Sequence, residues 1–181
     1  DEYIQKKHSE KKWEAGKDWV QYAGPYFDSQ EYIAAVKTLL GEWLVLGAEA
    51  IKFESKFPKL FGKKYGLLTN SGSSANLLMM LAMTSKRGLN LPKGTKVITP
   101  IAGFPTTVNP IVQFGAIPVF VDVDRRTLGM DPNGIIEKLT DRTRAVFFSH
   151  IQGFNGLTDE LIETLKRRNV SLIEDVCESH G

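Results

Sequence analysis

Four short clusters, each following an apolar run, hold the side chains with types and spacing suited to chemistry. The first is Thr69-Asn70-Ser71-Gly72-Ser73-Ser74-Ala75-Asn76, followed by Leu77-Leu78-Met79-Met80-Leu81. Small hydroxyl residues around a glycine at a helix start offer free backbone N–H groups, side-chain donors and the positive end of a helix dipole, a combination that binds phosphate. The same residues can equally be a capped helix with a glycine turn. They form neither a GxxxxGK[ST] loop nor a GxGxxG fingerprint, so nucleoside triphosphates and dinucleotides lack their motif. The second cluster, Pro100 to Pro110, sets Phe104 between Gly103 and the helix-opening Pro105. An aromatic ring there can stack on a flat ligand, or it can be a core residue at a loop.

The third cluster is Ser149-His150 with Ile151-Gln152-Gly153-Phe154-Asn155-Gly156 behind it. His150 is either an active-site donor or a satisfied polar group at a strand end. The fourth is Glu174-Asp175-Val176-Cys177-Glu178-Ser179-His180-Gly181, after Val170 to Ile173. An aspartate at the carboxyl edge of a buried strand is costly without a positive partner, which points to a bound cation or a pyridinium nitrogen. Asp175, Cys177, Glu178 and His180 mix hard and soft ligands at irregular spacing, so no metal site is expected. A Cys-His nucleophile pair lacks an orienting base on this short segment.

The elements that must carry these clusters follow from the hydrophobic pattern. From Tyr65 onward short apolar runs alternate with helical stretches. Strands are expected at Tyr65 to Leu68, Lys96 to Thr99, Ile117 to Val121, Ala145 to Ser149 and Ser171 to Glu174. Helices are expected at Ser74 to Thr84, Pro105 to Phe114, Pro132 to Leu139 and Asp159 to Arg168. Apolar, β-branched strands alternating with helices predict an α/β domain whose mainly parallel sheet is covered on both faces, with ligands beyond the carboxyl ends of the strands. Before that domain the opening to about Asp18 reads as a polar helical arm, broken at Gly24-Pro25. Ser29 is expected to cap a helix bearing Tyr32, Ile33, Val36, Leu39 and Leu40 on one face. Trp43 to Gly47 is a turn-bounded apolar patch, and a further helix with Ile51, Phe53, Phe57 and Leu60 ends near Phe61-Gly62. The expected organisation is an arm at 1–24, a helical segment at 25–64 and the α/β domain at 65–181.

Composition narrows the class. With 181 residues, 42% hydrophobic and 24% charged, the chain suits a globular domain rather than a disordered or fibrous one. Its formal charge of 23 − 21 = +2 is too weak a field to imply nucleic acid. The single cysteine, Cys177, rules out an intrachain disulfide and fits a reducing cytoplasm. No apolar run reaches the roughly 20 residues of a membrane span, so no membrane partner is expected.

Taken jointly, in order and spacing, the four clusters resemble the DegT/DnrJ/StrS group of fold-type-I, pyridoxal-phosphate-dependent sugar aminotransferases and nucleotide-sugar 3-dehydrases, over about Gly24 to Gly181. The resemblance implies pyridoxal 5'-phosphate as cofactor. Ser71, Gly72, Ser73 and Ser74 would cradle its phosphate, Phe104 would stack on the ring, Asp175 would pair with the pyridinium nitrogen, and Glu178 would lie near the ring face or its hydroxyl. An ionised Asp175 would keep that nitrogen protonated and deepen the ring's capacity to accept electrons. Trp43 to Gly47 looks like the family's loop at the active-site mouth, and a homodimer is implied.

Two reactions divide the group. The aminotransferases transfer an amino group from an amino acid, usually glutamate, to a nucleotide-activated keto sugar, using a Schiff-base lysine. The dehydrases remove a C3 hydroxyl from a 4-keto-6-deoxy sugar and have a histidine in place of that lysine. Asn70 to Leu78, Gly103 to Pro110, and Glu178 resemble the dehydrase wording. Val176 and His180-Gly181 resemble the aminotransferase wording. Three features against two lean toward C3 dehydration, for polysaccharide such as lipopolysaccharide O-antigen. No lysine in the chain matches the reactive position, so the sequence is read as an N-terminal portion, inactive by itself. The alternative from another class is a truncated, non-catalytic homologue.

Overall fold

The computed structural model describes residues 1–10, 12–20, 27–43 and 45–179, with the side chains of His8 and Glu10 left aside. Gly24-Pro25, Leu44 and His180-Gly181 lie outside the described residues. The chain divides into two compact units, Asp1–Leu68 and Thr69–Gly181.

The first unit contains helices α1 (Glu2–Glu10), α2 (Ser29–Leu40) and α3 (Ala48–Leu60). The polar opening is helical over only half the expected length. At Gly16, with φ +83°, the backbone enters a region that favours glycine, and Asp18 folds back to accept the Glu14 N–H at 2.6 Å. That closed turn replaces a continuing helix. The cap of α2 is Asp28, not Ser29: its carboxylate accepts the Gln30 N–H at 2.6 Å while Glu31 accepts the Asp28 N–H at 2.9 Å, forming a reciprocal capping box. Phe53, Phe57 and Phe61, the last just past the end of α3, recur every fourth residue: Phe53 and Phe57 stack at 4.7 Å between ring centroids, and Phe57 meets Phe61 in a tilted contact at 5.2 Å.

Tyr65 to Leu68 does not form the expected strand. The Leu68 N–H donates to the Glu54 carboxylate at 2.7 Å, and a Cβ on Gly66 would stand 3.1 Å from Pro58. These contacts tie the segment along α3. A short apolar run makes a strand only where a neighbouring strand takes up the backbone groups.

The second unit is α4 (Gly72–Thr84), β1 (Lys96–Pro100), α5 (Pro105–Gln113), β2 (Ile117–Val121), α6 (Pro132–Lys138), β3 (Thr143–Ser149), a 3₁₀ turn (Ile151–Gly153), α7 (Asp159–Arg167) and β4 (Ser171–Asp175). The four strands pair in the order β2-β1-β3-β4, parallel throughout. The expected elements are therefore present, with ends moved by one or two residues. Their side chains alternate across the sheet. Val97, Ala145, Phe147 and Ile173 pack with Met80 and Met83 of α4 and Ile111 of α5. Ile98, Val146 and Phe148 pack on the opposite face with Ile135 of α6 and Leu161 and Leu165 of α7. Both faces of a parallel sheet are thus covered, and the strands are correspondingly apolar throughout. The order reverses at β1, whose two neighbours β2 and β3 are reached by successive crossovers in opposite directions. In open α/β sheets the crevice at such a reversal is where ligands bind.

Candidate active site

Beyond the carboxyl ends of β1, β3 and β4 lies an open cleft of about 600 Å³. Gly72 and Ser73 of α4, Phe104 and Thr107 at the start of α5, His150 after β3, and Asp175 and Glu178 at the end of β4 contribute to its walls.

Ser71 caps α4. Its hydroxyl accepts the Ser74 N–H at 3.2 Å and donates to the Ser74 hydroxyl at 3.2 Å. With this pair engaged at the cap, the first helical N–H groups, those of Gly72 and Ser73, have no intrahelical acceptor and sit at the positive end of the dipole. A Cβ on Gly72 would stand 3.1 Å from the Cys177 sulfur, so only glycine fits there without displacing the thiol. Of the four expected cradle residues, Gly72 and Ser73 line the cleft, while Ser71 and Ser74 build the cap beside it.

Phe104 precedes α5, whose first residue is Pro105, and its ring is 71% exposed. Phe104 is therefore not packed into the core of this unit, and it contributes to the wall of the cleft.

Asp175 and Ser149 are paired in register at the ends of β4 and β3. The Asp175 carboxylate accepts from the Asn76 side-chain amide at 3.1 Å on one oxygen and from the Cys177 N–H at 3.2 Å on the other. The Cys177 thiol is pushed up to about 11, first by its hydrogen bond to Asp175, then by burial and by the charges of Asp175 and Glu178. At neutral pH this sulfur is a thiol and not a nucleophile, which agrees with the poor case for a Cys-His pair.

Glu178 reaches across to the turn after β3, where its carboxylate accepts the Gln152 N–H at 2.6 Å. Gln152 has φ +54° and Gly153 φ +81°, and a Cβ on Gly153 would lie 2.9 Å from the Glu178 carbonyl oxygen. Glycine at 153 lets the two loops meet. His150 is buried, its Nε2 3.1 Å from a Glu174 carboxylate oxygen and its ring 5.1 Å from that of Phe148. Its side chain is thus engaged at the strand ends. Its N–H donates to the Asp175 carbonyl at 3.1 Å.

Asn76 and Thr107 were not singled out from the sequence. Asn76 directly precedes the apolar run Leu77 to Met83 of α4, a weak signal of a polar partner, but its partner lies 99 residues away. Thr107 is buried, and its hydroxyl has no hydrogen-bond partner among the described residues.

The cleft, its glycine-opened helix terminus and its carboxylate are the setting for the comparison with known proteins. The sequence profile of the DegT/DnrJ/EryC1/StrS aminotransferase family matches residues 26–181. The chain belongs to this family. It is 40% identical over 169 residues to a dTDP-4-dehydro-2,6-dideoxy-D-glucose 3-dehydratase of Saccharopolyspora spinosa, covering 92% of this chain and 37% of that protein. It is 39% identical over 182 aligned positions to the lipopolysaccharide biosynthesis protein RfbH of Salmonella typhimurium, covering 99% and 42%. Among solved structures, the Escherichia coli GDP-4-keto-6-deoxy-D-mannose 3-dehydratase with bound hydrated pyridoxal phosphate superposes with a TM-score of 0.81 at 35% identity, over 88% of this chain and 41% of that one. The α/β unit therefore has the fold of fold-type-I pyridoxal-phosphate enzymes, in part: the chain spans about two fifths of the length of these relatives.

Proposed function

We propose that this chain is part of a pyridoxal-phosphate enzyme that removes the C3 hydroxyl from a nucleotide-linked 4-keto-6-deoxy sugar in polysaccharide biosynthesis. The observation that carries the reading is the convergence of three groups on one cleft: the α4 terminus, the exposed Phe104 ring and the Asp175 carboxylate. They fit a flat, phosphorylated pyridine. Gly72 cannot take a side chain without meeting Cys177, which keeps backbone N–H groups open to an anion.

In this reading Gly72 and Ser73, on the cap built by Ser71 and Ser74, hold the phosphate through the helix terminus. Phe104 covers the ring, and Asp175 accepts the ring N–H. Glu178 lines the same cleft, fixed by the Gln152 N–H. When bound, pyridoxal phosphate supplies an electron sink at the substrate carbon. Asp175 keeps the ring nitrogen protonated, Phe104 excludes water from the ring face, and the α4 terminus orients the phosphate. The residue that moves the proton at the substrate carbon is not assigned to this chain.

C3 dehydration is supported over amino transfer by the names of the two dehydratases compared above and by Glu178. Amino transfer to the sugar, with glutamate as donor, is the second reading. It is favoured by Val176 and by the family's description. No helix among the described residues is long and apolar enough to cross a membrane. A cytoplasmic setting is proposed on the exposed free thiol of Cys177. A homodimer is proposed on α4, where Leu77, Met79 and Leu81 are 42%, 45% and 48% exposed.

Titrating the 181-residue chain with pyridoxal phosphate, followed by absorbance and Trp fluorescence, is expected to give saturable binding with the spectrum of the free aldehyde. A band of covalent lysine attachment would contradict the assignment of the reactive group elsewhere, and an absence of binding would remove the cofactor reading. Given glutamate, pyridoxal phosphate and a nucleotide 4-keto-6-deoxyhexose, the complete enzyme is expected to yield a sugar lacking the C3 oxygen by mass. A 4-amino product would establish amino transfer instead.

A further inference from the structure

Asp175 is held at both carboxylate oxygens, and its partners differ in kind. Cys177 is its neighbour two residues on and contributes a backbone N–H at 3.2 Å. Asn76 comes from another element, and its Nδ2 donates to Asp175 Oδ2 at 3.1 Å. The terminal torsion of an aspartate is broad, so a carboxylate held from one side alone keeps rotational freedom. A second donor on the other oxygen removes it. Each oxygen can accept more than one hydrogen bond, so both bonds leave acceptor capacity toward the cleft. Asn76 also lines that cleft and lies about one turn into α4, the helix that begins with the N–H groups of Gly72 and Ser73. One rigid element thus presents an anion seat at its tip and a clamp on the opposing carboxylate.

We infer that Asn76 is a positioning residue for the cofactor ring: it orients Asp175 toward the ring nitrogen and fixes the distance between that acceptor and the phosphate seat. The inference rests on the cofactor reading above. Asn76 acts on the ring only through Asp175, so its effect depends on the ligand having a ring N–H. A role in the phosphate seat or in helix stability would not depend on it.

The test compares pyridoxal phosphate with its 1-deaza analogue, in which a C–H replaces the ring nitrogen, binding each to wild type, Asn76→Ala and Asp175→Ala. Asn76→Ala is expected to weaken pyridoxal phosphate about tenfold, the loss of one hydrogen bond to a charged group. Binding of the deaza analogue is expected to stay within about twofold, and Asn76→Ala added to Asp175→Ala is expected to change affinity by no more than that. If the alanine variant unfolds, Asn76→Leu, nearly isosteric and without a donor, gives the same comparison. Equal weakening of both ligands, or none of either, would overturn the inference. A wild type that binds the deaza analogue but not pyridoxal phosphate would also overturn it, and one that binds neither would remove the cofactor reading itself.

Discussion

Asp175→Asn is expected to weaken pyridoxal-phosphate binding about 30-fold, the scale of losing a charge-assisted hydrogen bond at a half-buried site. The substitution is isosteric; its single side-chain oxygen can accept from either Asn76 or the Cys177 N–H, and its NH2 group then faces the other donor. What is lost is the negative charge that stabilises a protonated ring nitrogen. A second readout needs no ligand. Asp175 is the main cause of the raised Cys177 thiol, which stands at about 11, so removing its charge lowers that value and raises the thiolate fraction at pH 8. Alkylation of Cys177 by iodoacetamide at pH 8 is expected to accelerate about tenfold, because the more abundant thiolate is also a weaker nucleophile. The wild-type and Asp175→Asn rates should converge only as pH approaches the wild-type thiol's range near 11, where that sulfur ionises too. Unchanged affinity would refute the ring-nitrogen role of Asp175, and unchanged alkylation would refute its hold on the thiol.

The α/β unit was legible because its elements announce themselves locally. Short apolar strands covered on both faces need no long-range information to be recognised, and Pro105, Pro132 and Thr158 mark helix starts by their own chemistry. The signal failed where a non-local partner decides. Tyr65 to Leu68 has strand composition but gives a backbone N–H to Glu54, and nothing in its own residues reports that. Asp28 and Ser29 are both good caps. Asp28 prevails because Glu31, three residues later, completes the reciprocal pair, a spacing available in the sequence.

The candidate site shows the same division. Gly72, Phe104 and Asp175 were legible because each lies at the end of, or a few residues after, a short apolar run, and the topology gathers the ends of β1, β3 and β4 at one edge. The contacts that set their geometry were not. The Asn76 bond to Asp175, the thiol against Gly72 and the Glu178 bond to Gln152 each join distant segments. Such contacts depend on packing angles between elements, which composition and period do not encode.

Phe148→Ala and Phe104→Ala separate the fold from the site with one residue type. Phe148 is fully buried on the α6 and α7 face of β3, and its ring lies 5.1 Å from that of His150. Gly129 and Gly156 leave room for it, their hypothetical Cβ atoms standing 3.6 and 3.0 Å from Phe148 Cζ. Truncation leaves a cavity that two glycine backbones and a strand cannot collapse into, so a loss of about 3–5 kcal/mol is expected. Against a typical total of roughly 5–15 kcal/mol, that brings the α/β unit near its unfolding threshold. Urea denaturation should show a much lower midpoint with an unchanged slope. Phe104→Ala removes a ring already in water, and its denaturation midpoint should move by no more than about 0.5 kcal/mol in stability. Its pyridoxal-phosphate affinity should fall instead, by about tenfold, on the scale of a lost aromatic contact with a flat ring. Stability loss at Phe104 comparable to that at Phe148 would mean that Phe104 serves the core and not the ligand. The cleft would then lack its stacking wall, and Asp175 with the α4 terminus would have to orient the ring alone.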